Sequence, residues 1–238
     1  MAQLSKAQAD AERRYEPLTL YAPRDAVELV RTLAHSKFDE SVDVVFNLGI
    51  DARKADQLVR GTVGLPHGSG REVRVLVFAE SEDARTAEAA GADIVGDKDL
   101  AEQIGAGGGL EFDVAIATPE MMPHVGKLGP ILGPRGLMPN PKSGTVTQDV
   151  GKAVEEFKAG RVEYRNDRYG NVHVPIGRVS FDADKLTANL AAVADEVLRN
   201  RPASAKGRFI RKAAVSSTMG PGVKLDPSQV DDLVKTLH

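Results

Sequence analysis

The chain has 238 residues, 42% hydrophobic and 27% charged, the balance of an ordinary globular protein of one large or two small domains. It has no cysteine, which excludes disulfides, thiolate nucleophiles and zinc–thiolate sites. Its formal net charge of −3 gives no overall basic character; no apolar run is long enough for a bilayer, and the N-terminus MAQLSKAQADAERRY lacks the apolar core of a secretory signal, so a cytoplasmic protein is expected.

Residues 1–20 read as a loose polar helix. Between Asp25 and Ala34, Val27, Leu29, Val30 and Leu33 recur on one helical stripe. Val42, Val44, Phe46, Leu48 and Ile50 then alternate strictly, the mark of a half-buried strand. Gly64 to Gly70, GLPHGSG, is a cluster of breakers. From Arg71 the texture changes. REVRVLVFA, DIVGD and FDVAIATPE read as strands, separated by the alanine-rich helices SEDARTAEAAGA and DLAEQIGAGG. That alternation predicts a parallel sheet covered by helices.

Thr118 to Thr147 holds five glycines, six prolines and the cations Lys127, Arg135 and Lys142, with no acid between Glu120 and Asp149. Proline fixes φ and glycine frees it, so this is a stiff, sharply turned stretch rather than a long helix. Asp149 to Ala159 reads as a helix stopped by Gly160. VEYRNDRYGNVHV reads as a hairpin turning at Asn166 to Gly170. Asp182 to Asn200 is a long amphipathic helix, Phe209 to Ser217 a strand, and Pro227 to Leu237 a final helix with proline near its first turn. The texture is that of a central α/β block between two α+β flanks, with no internal repeat.

Charge is segregated along the chain. Residues 71–120 carry 4 cations and 12 acids, while Arg199, Arg201, Lys206, Arg208, Arg211 and Lys212 fall in an acid-free stretch. Charge runs are often solvated faces. Two blocks of opposite sign also orient a molecule in a phosphate field.

Signals of catalysis are weak. His35, His67, His124, His173 and His238 are scattered without metal-ligand spacing, and no acid pair stands out. The run Gly105, Gly107, Gly108, Gly109 lacks the lysine of a phosphate loop. No cofactor is expected. A nucleotide-using enzyme built on the parallel sheet remains an alternative that fold alone does not support.

Four places offer RNA chemistry. Phe38 beside Lys37 reads as core on composition, or as a stacking face for a ribose or base. Ser216, Ser217, Thr218, Met219 and Gly220 read as a polar strand end, or as short-armed groups for 2′-hydroxyls and base edges. Arg165, Asn166, Asp167 and Arg168, followed by His173, form an ordinary turn or a phosphate and groove probe. Lys206, Arg208 and Lys212 suit phosphates, positioning without specifying.

KFDESVDVVFNLGID at Lys37, RGTVGLPHG at Arg60, TPEMMPHVGKLGPILGPRGLMPNPKSGTVT at Thr118, RVEYRNDRYGNVH at Arg161 and SSTMGPGVK at Ser216 together resemble the bacterial large-subunit ribosomal protein L-one family, almost end to end. The resemblance implies an α/β fold of two domains. A discontinuous α+β RNA-binding domain, residues 1–67 with 160–238, would carry an inserted Rossmann-like parallel-sheet domain, residues 68–159, with hinges at Gly68 and Gly160. The insert so bounded carries a net −6 and the remainder +3.

The implied role is structural, not enzymatic. The protein would bind large-subunit ribosomal RNA at the mobile stalk as a monomer within the ribosome, help deacylated transfer RNA leave the exit site, and repress its own messenger RNA. No membrane or small-molecule substrate is implied. The implied RNA surface comprises Lys37, Phe38, Ser41, Arg53, Lys54, the Arg165 to Arg168 turn, His173, Lys206, Arg208, Lys212 and Ser216 to Gly220. Lys127, Arg135 and Lys142 would make secondary contacts. Many family members carry a small hydroxyl where this chain has Lys212. A free-standing RNA-binding translational regulator is the other alternative.

Overall fold

The structure, a computed structural model, describes residues 6–107 and 111–235. The first residues of the expected N-terminal helix, Gly108 and Gly109 of the glycine run, the last residues of the expected final helix and His238 lie outside the described residues. The chain divides into two compact units, one taking the residues up to Gly70 and from Val162 onward, the other Arg71–Arg161.

The first unit opens with α1 (Lys6–Arg14), α2 (Pro23–Leu33), β1 (Ser41–Leu48) and β2 (Arg60–Gly64). The second holds β3 (Val75–Phe78), α3 (Ser81–Ala89), β4 (Ile94–Gly96), α4 (Lys98–Gly105), β5 (Val114–Ala117), α5 (Met122–Val125), α6 (Gly129–Leu132) and α7 (Val150–Lys158). The chain returns to the first unit through β6 (Arg161–Arg165), then β7 (Asn171–Arg178), α8 (Ala183–Arg199), β8 (Ile210–Ser217), β9 (Val223–Leu225) and α9 (Pro227–Lys235).

In the first unit β7, β1, β8 and β9 form an antiparallel sheet in that order. The alternation read in β1 appears directly: Val42, Val44, Phe46 and Leu48 are buried and the residues between them are half-exposed. Val172, Val174, Ile176, Ala213, Val215, Val223 and Leu225 share that buried face, in one core with the apolar stripes of α2, α8 and α9. Each large aliphatic chain so buried contributes about 1.5–3 kcal/mol relative to exposure. Period-two burial turns the remaining residues to the other sheet face, most of them polar, with Val45, Pro175 and Ala214 among them.

The expected hairpin of VEYRNDRYGNVHV is corrected. The turn is present, but its arms pair elsewhere: β6 with β2 in a separate two-stranded sheet, β7 with β1. Only the bridge from Asn166 to Val172 joins them directly. Tyr164 of β6 is anchored on Asn200, at the C-terminal end of the helix that follows β7. Its ring is buried, its hydroxyl accepts from Asn200 Nδ2 at 2.7 Å, and burial pushes the phenol up to about 12.

The second unit centres on a parallel sheet in the order β4-β3-β5. All four residues of β3 are buried, as a strand covered on both faces requires. Val75 and Val77 face Val150, Val154 and Phe157 in one core. Leu76 and Phe78 face Ile104, Met121, Val125, Leu128 and Leu132 in another. The proline- and glycine-rich stretch folds as single turns: α5, α6 and two 3₁₀ turns, Gly126–Leu128 and Pro141–Ser143. The sequence reading misses β2 and the three-residue β9, and places the first strand of this unit too early.

Candidate nucleic-acid interface

The polar face of the four-stranded sheet forms the middle of the candidate surface. Asp43 of β1 lies between Pro175 and Ser216, Val45 between His173 and Ala214, and Asn47 between Asn171 and Lys212. Asn47 Nδ2 donates to Asn171 Oδ1 at 2.7 Å, which ties β1 to β7 across this face. His173 and Lys212 are exposed. Burial raises the Asp43 carboxyl above its ordinary range, partly opposed by His173. A bulge where Asn47 pairs with Lys212 but Leu48 with Ile210 leaves Arg211 unpaired. Arg211 and Lys212 are therefore both exposed, where plain alternation would have sent one inward.

At the Ser41 end of β1 two large apolar side chains stand in solvent, Phe38 at 57% and Met219 at 54% exposure. Phe38 is thus not core. Between them lies a buried carboxylate that sequence reasoning passed over. Glu40 Oε1 accepts from the amides of His35 at 3.2 Å and Ser36 at 2.9 Å, and Oε2 from the amide of Met219 at 2.9 Å. Burial alone would raise its pKa. These bonds, with the hydroxyls of Ser217 and Ser36, more than offset burial and hold it at about 2. The signal was present: Glu40 is in phase with Val42, Val44 and Phe46, so it had to point inward.

The Ser216 to Gly220 segment divides by the same alternation. Ser216 lies on the polar face, whereas Ser217 is buried and its Oγ accepts from Gly220 N at 3.1 Å. A Cβ on Gly220 would sit 2.4 Å from that oxygen, so any larger residue would have to displace the Ser217 hydroxyl. The Thr218 hydroxyl accepts from Ser41 N at 3.0 Å, and Thr218 N donates to Ser41 O, extending the β1–β8 pairing. Exposed Lys37 and half-exposed Ser41 adjoin this rim.

The Leu48 end of the sheet is basic. Arg53, Lys54, Arg165, Arg168, Lys206 and Arg208 are all exposed. Asn166 is not a probe: it is buried, its Oδ1 accepting from Val59 N at 2.8 Å and its Nδ2 donating to Asp167 O. Asp167 braces the turn, its carboxylate accepting from Tyr169 N and from Asn171 N and Nδ2. Burial raises its carboxyl, but these bonds and His173 leave it lowered on balance. Arg201, which looked equivalent to its neighbours, donates to Ala205 O and Gly207 O and lies over Phe209, so it shapes its loop.

Lys127, Arg135 and Lys142 are exposed on the single-turn segments of the second unit. Gly68 lies within the first unit, where Asn189 Nδ2 donates to its carbonyl and Asn189 Oδ1 accepts from His67 N. Gly160 adopts φ 109 and its N–H closes the end of α7 on Phe157 O. The passages between units fall just beyond both glycines. Among the described residues no cluster of three or more acidic or histidine side chains is placed to hold a metal.

A model described as the Ribosomal protein L1p/L10e family matches residues 30–221, a span that contains every candidate position from Lys37 to Gly220. The chain is 54% identical to the large ribosomal subunit protein uL1 of Kitasatospora aureofaciens, over 97% of this chain and 96% of that one. It is 56% identical to the protein of the same name from Cutibacterium acnes over 96% and 98%, and 58% identical to that of Rubrobacter xylanophilus over 90% and 94%. The likeness read from the motifs is borne out across nearly the whole length: the chain belongs to the Ribosomal protein L1p/L10e family.

Proposed function

We propose that this chain, a ribosomal protein of the large subunit and not an enzyme, binds the stalk region of large-subunit ribosomal RNA through the polar sheet face of its first unit. Family membership sets aside the nucleotide-using alternative and makes the protein cytoplasmic and ribosome-associated. The observation that carries the RNA reading is the Glu40 clamp, which fixes the backbones beside exposed Phe38 and Met219 at one end of a face whose other end is basic. Exposed apolar groups held rigidly beside 2′-OH-sized polar groups suit splayed, irregular RNA. The cations supply phosphate contacts. Lys127, Arg135 and Lys142 add secondary contacts from the second unit.

Two further roles rest on kinship. The protein assists release of deacylated transfer RNA from the exit site, with the chain passages near Gly68 and Gly160 serving as hinges. It also represses its own messenger RNA through the same surface. The test is binding of the full chain to the isolated stalk RNA over a salt series, against an unrelated hairpin of equal length. Tight, discriminating binding that survives moderate salt is expected. Equal, salt-labile binding to both RNAs would leave charge alone at work and defeat the reading. Sedimentation with large subunits separates a ribosomal component from a free-standing regulator.

A further inference from the structure

We propose that Tyr169, braced by Arg168, is a second nucleobase-stacking station, at the basic end of the sheet face and distinct from Phe38 and Met219. The inference rests on the RNA reading above. Tyr169 is 67% exposed, the most exposed aromatic side chain among those described. The Arg168 guanidinium lies over its ring, 4.9 Å from the centroid. A planar cation on a ring that is otherwise largely in solvent leaves room for a planar partner, and every base offers a π-face.

Among the described contacts, the ring's partner is the Arg168 guanidinium. The turn beneath it is fixed without it: Tyr169 contributes only its amide, which donates to Asp167 Oδ1 at 2.8 Å. Gly170 adopts φ 78, donates to Asp167 O and accepts from Leu48 N, and a Cβ there would sit 3.2 Å from Ile50 and from the Leu48 carbonyl. A small polar residue would serve this turn equally well. Rigid support without burial is what a preorganised contact needs, since little freedom is left to lose on binding.

The surroundings select the partner. Arg53, Lys54, Arg165 and Arg168 are exposed on the adjoining loop and turn, so phosphates are favoured beside the ring. Leu58, 49% exposed, stands next to Val59, whose amide is bound by Asn166 of the same turn. From Ser41 to Leu48, β1 spans about 23 Å at roughly 3.3 Å per residue. Stacking stations at its two ends would engage two unpaired segments that far apart, selecting RNA by the spacing of its irregularities.

The test compares the full chain with Tyr169→Ala and Tyr169→Phe for stalk-RNA affinity over a salt series. Urea midpoints confirm that the fold is unchanged. Loss of one stacked base weakens binding about tenfold, with the salt slope preserved, while Tyr169→Phe stays within about twofold of the parent. The chain has no tryptophan, so tyrosine emission is measurable directly, and RNA should quench a component that Tyr169→Phe lacks. If Tyr169→Ala binds stalk RNA as the parent does, the station is overturned while the RNA reading stands. Equal losses in Tyr169→Ala and Tyr169→Phe would assign a hydroxyl contact and overturn stacking. A parent chain that does not discriminate stalk RNA brings down both.

Discussion

The Glu40 carboxylate binds the Met219 amide at 2.9 Å across 179 residues of sequence, while its other oxygen holds Ser36 and His35. One buried charge thus sets the spacing of the two loops that expose Phe38 and Met219. Its folded pKa of about 2 lies below the ordinary 4.5. This stabilisation is complete above about pH 4.5 and is lost as pH falls towards 2, because the unfolded chain binds the proton first. The shift corresponds to about 3 kcal/mol at most. Glu40→Gln leaves an amide donor facing amide donors, and should cost about 1–3 kcal/mol at neutral pH. Urea midpoints at several pH values check this. A variant whose stability falls as steeply as the parent's between pH 5 and 2 would remove Glu40 from that transition.

How far the sequence carries can be judged at this site. Periodicity was enough for β1, and the same phase places Glu40 inside and separates buried Ser217 from Ser216. What periodicity cannot give is partner choice. The Asn166 to Gly170 signal is local and correct about the turn. The pairing of β6 with β2 and of β7 with β1 depends on partners far away in sequence, Asn200 against Tyr164 and Val44 against Val174. Arg201 and Arg208 look alike in composition, and only the carbonyls around Arg201 tell them apart. Three-residue β9 carries too little pattern to be seen.

Phe38 and Met219 should matter for binding and not for folding. Both are more than half exposed, and the Met219 contact to Glu40 runs through the backbone, which any side chain retains. Met219→Asp places a carboxylate where RNA would approach and should weaken stalk-RNA binding severely, with the urea midpoint unchanged. Phe38→Ala should cost about 1–3 kcal/mol of binding if a base or ribose stacks there. Normal RNA affinity in a folded Met219→Asp protein would sink the assignment of this rim.

Asn166 carries the opposite expectation. Its Oδ1 is the acceptor for the Val59 amide, and the residue is buried. Asn166→Ala orphans that N–H and should destabilise the first unit by about 1–3 kcal/mol. The salt slope of RNA binding should not change, because no phosphate contact is removed. Thermal or urea unfolding decides the matter. An unchanged midpoint would mean that water or another group satisfies Val59.

Arg208 and Arg201 provide a paired test of phosphate contact against internal support. Arg208 is exposed and its guanidinium reaches only the Ser228 hydroxyl at 3.0 Å among the contacts described. Arg208→Ala should reduce the salt slope by about one phosphate, near 0.7–0.9 in log–log terms, with little change in RNA preference or stability. Arg201 bonds two carbonyls of its own loop and covers Phe209. Arg201→Ala should therefore lower stability by about 1–2 kcal/mol and weaken binding only through loosening of the Ala205 to Phe209 loop. The two variants should move different observables. If Arg208→Ala leaves the slope unchanged while Arg201→Ala lowers it without loss of stability, the roles are reversed and the RNA backbone runs past Arg201 instead.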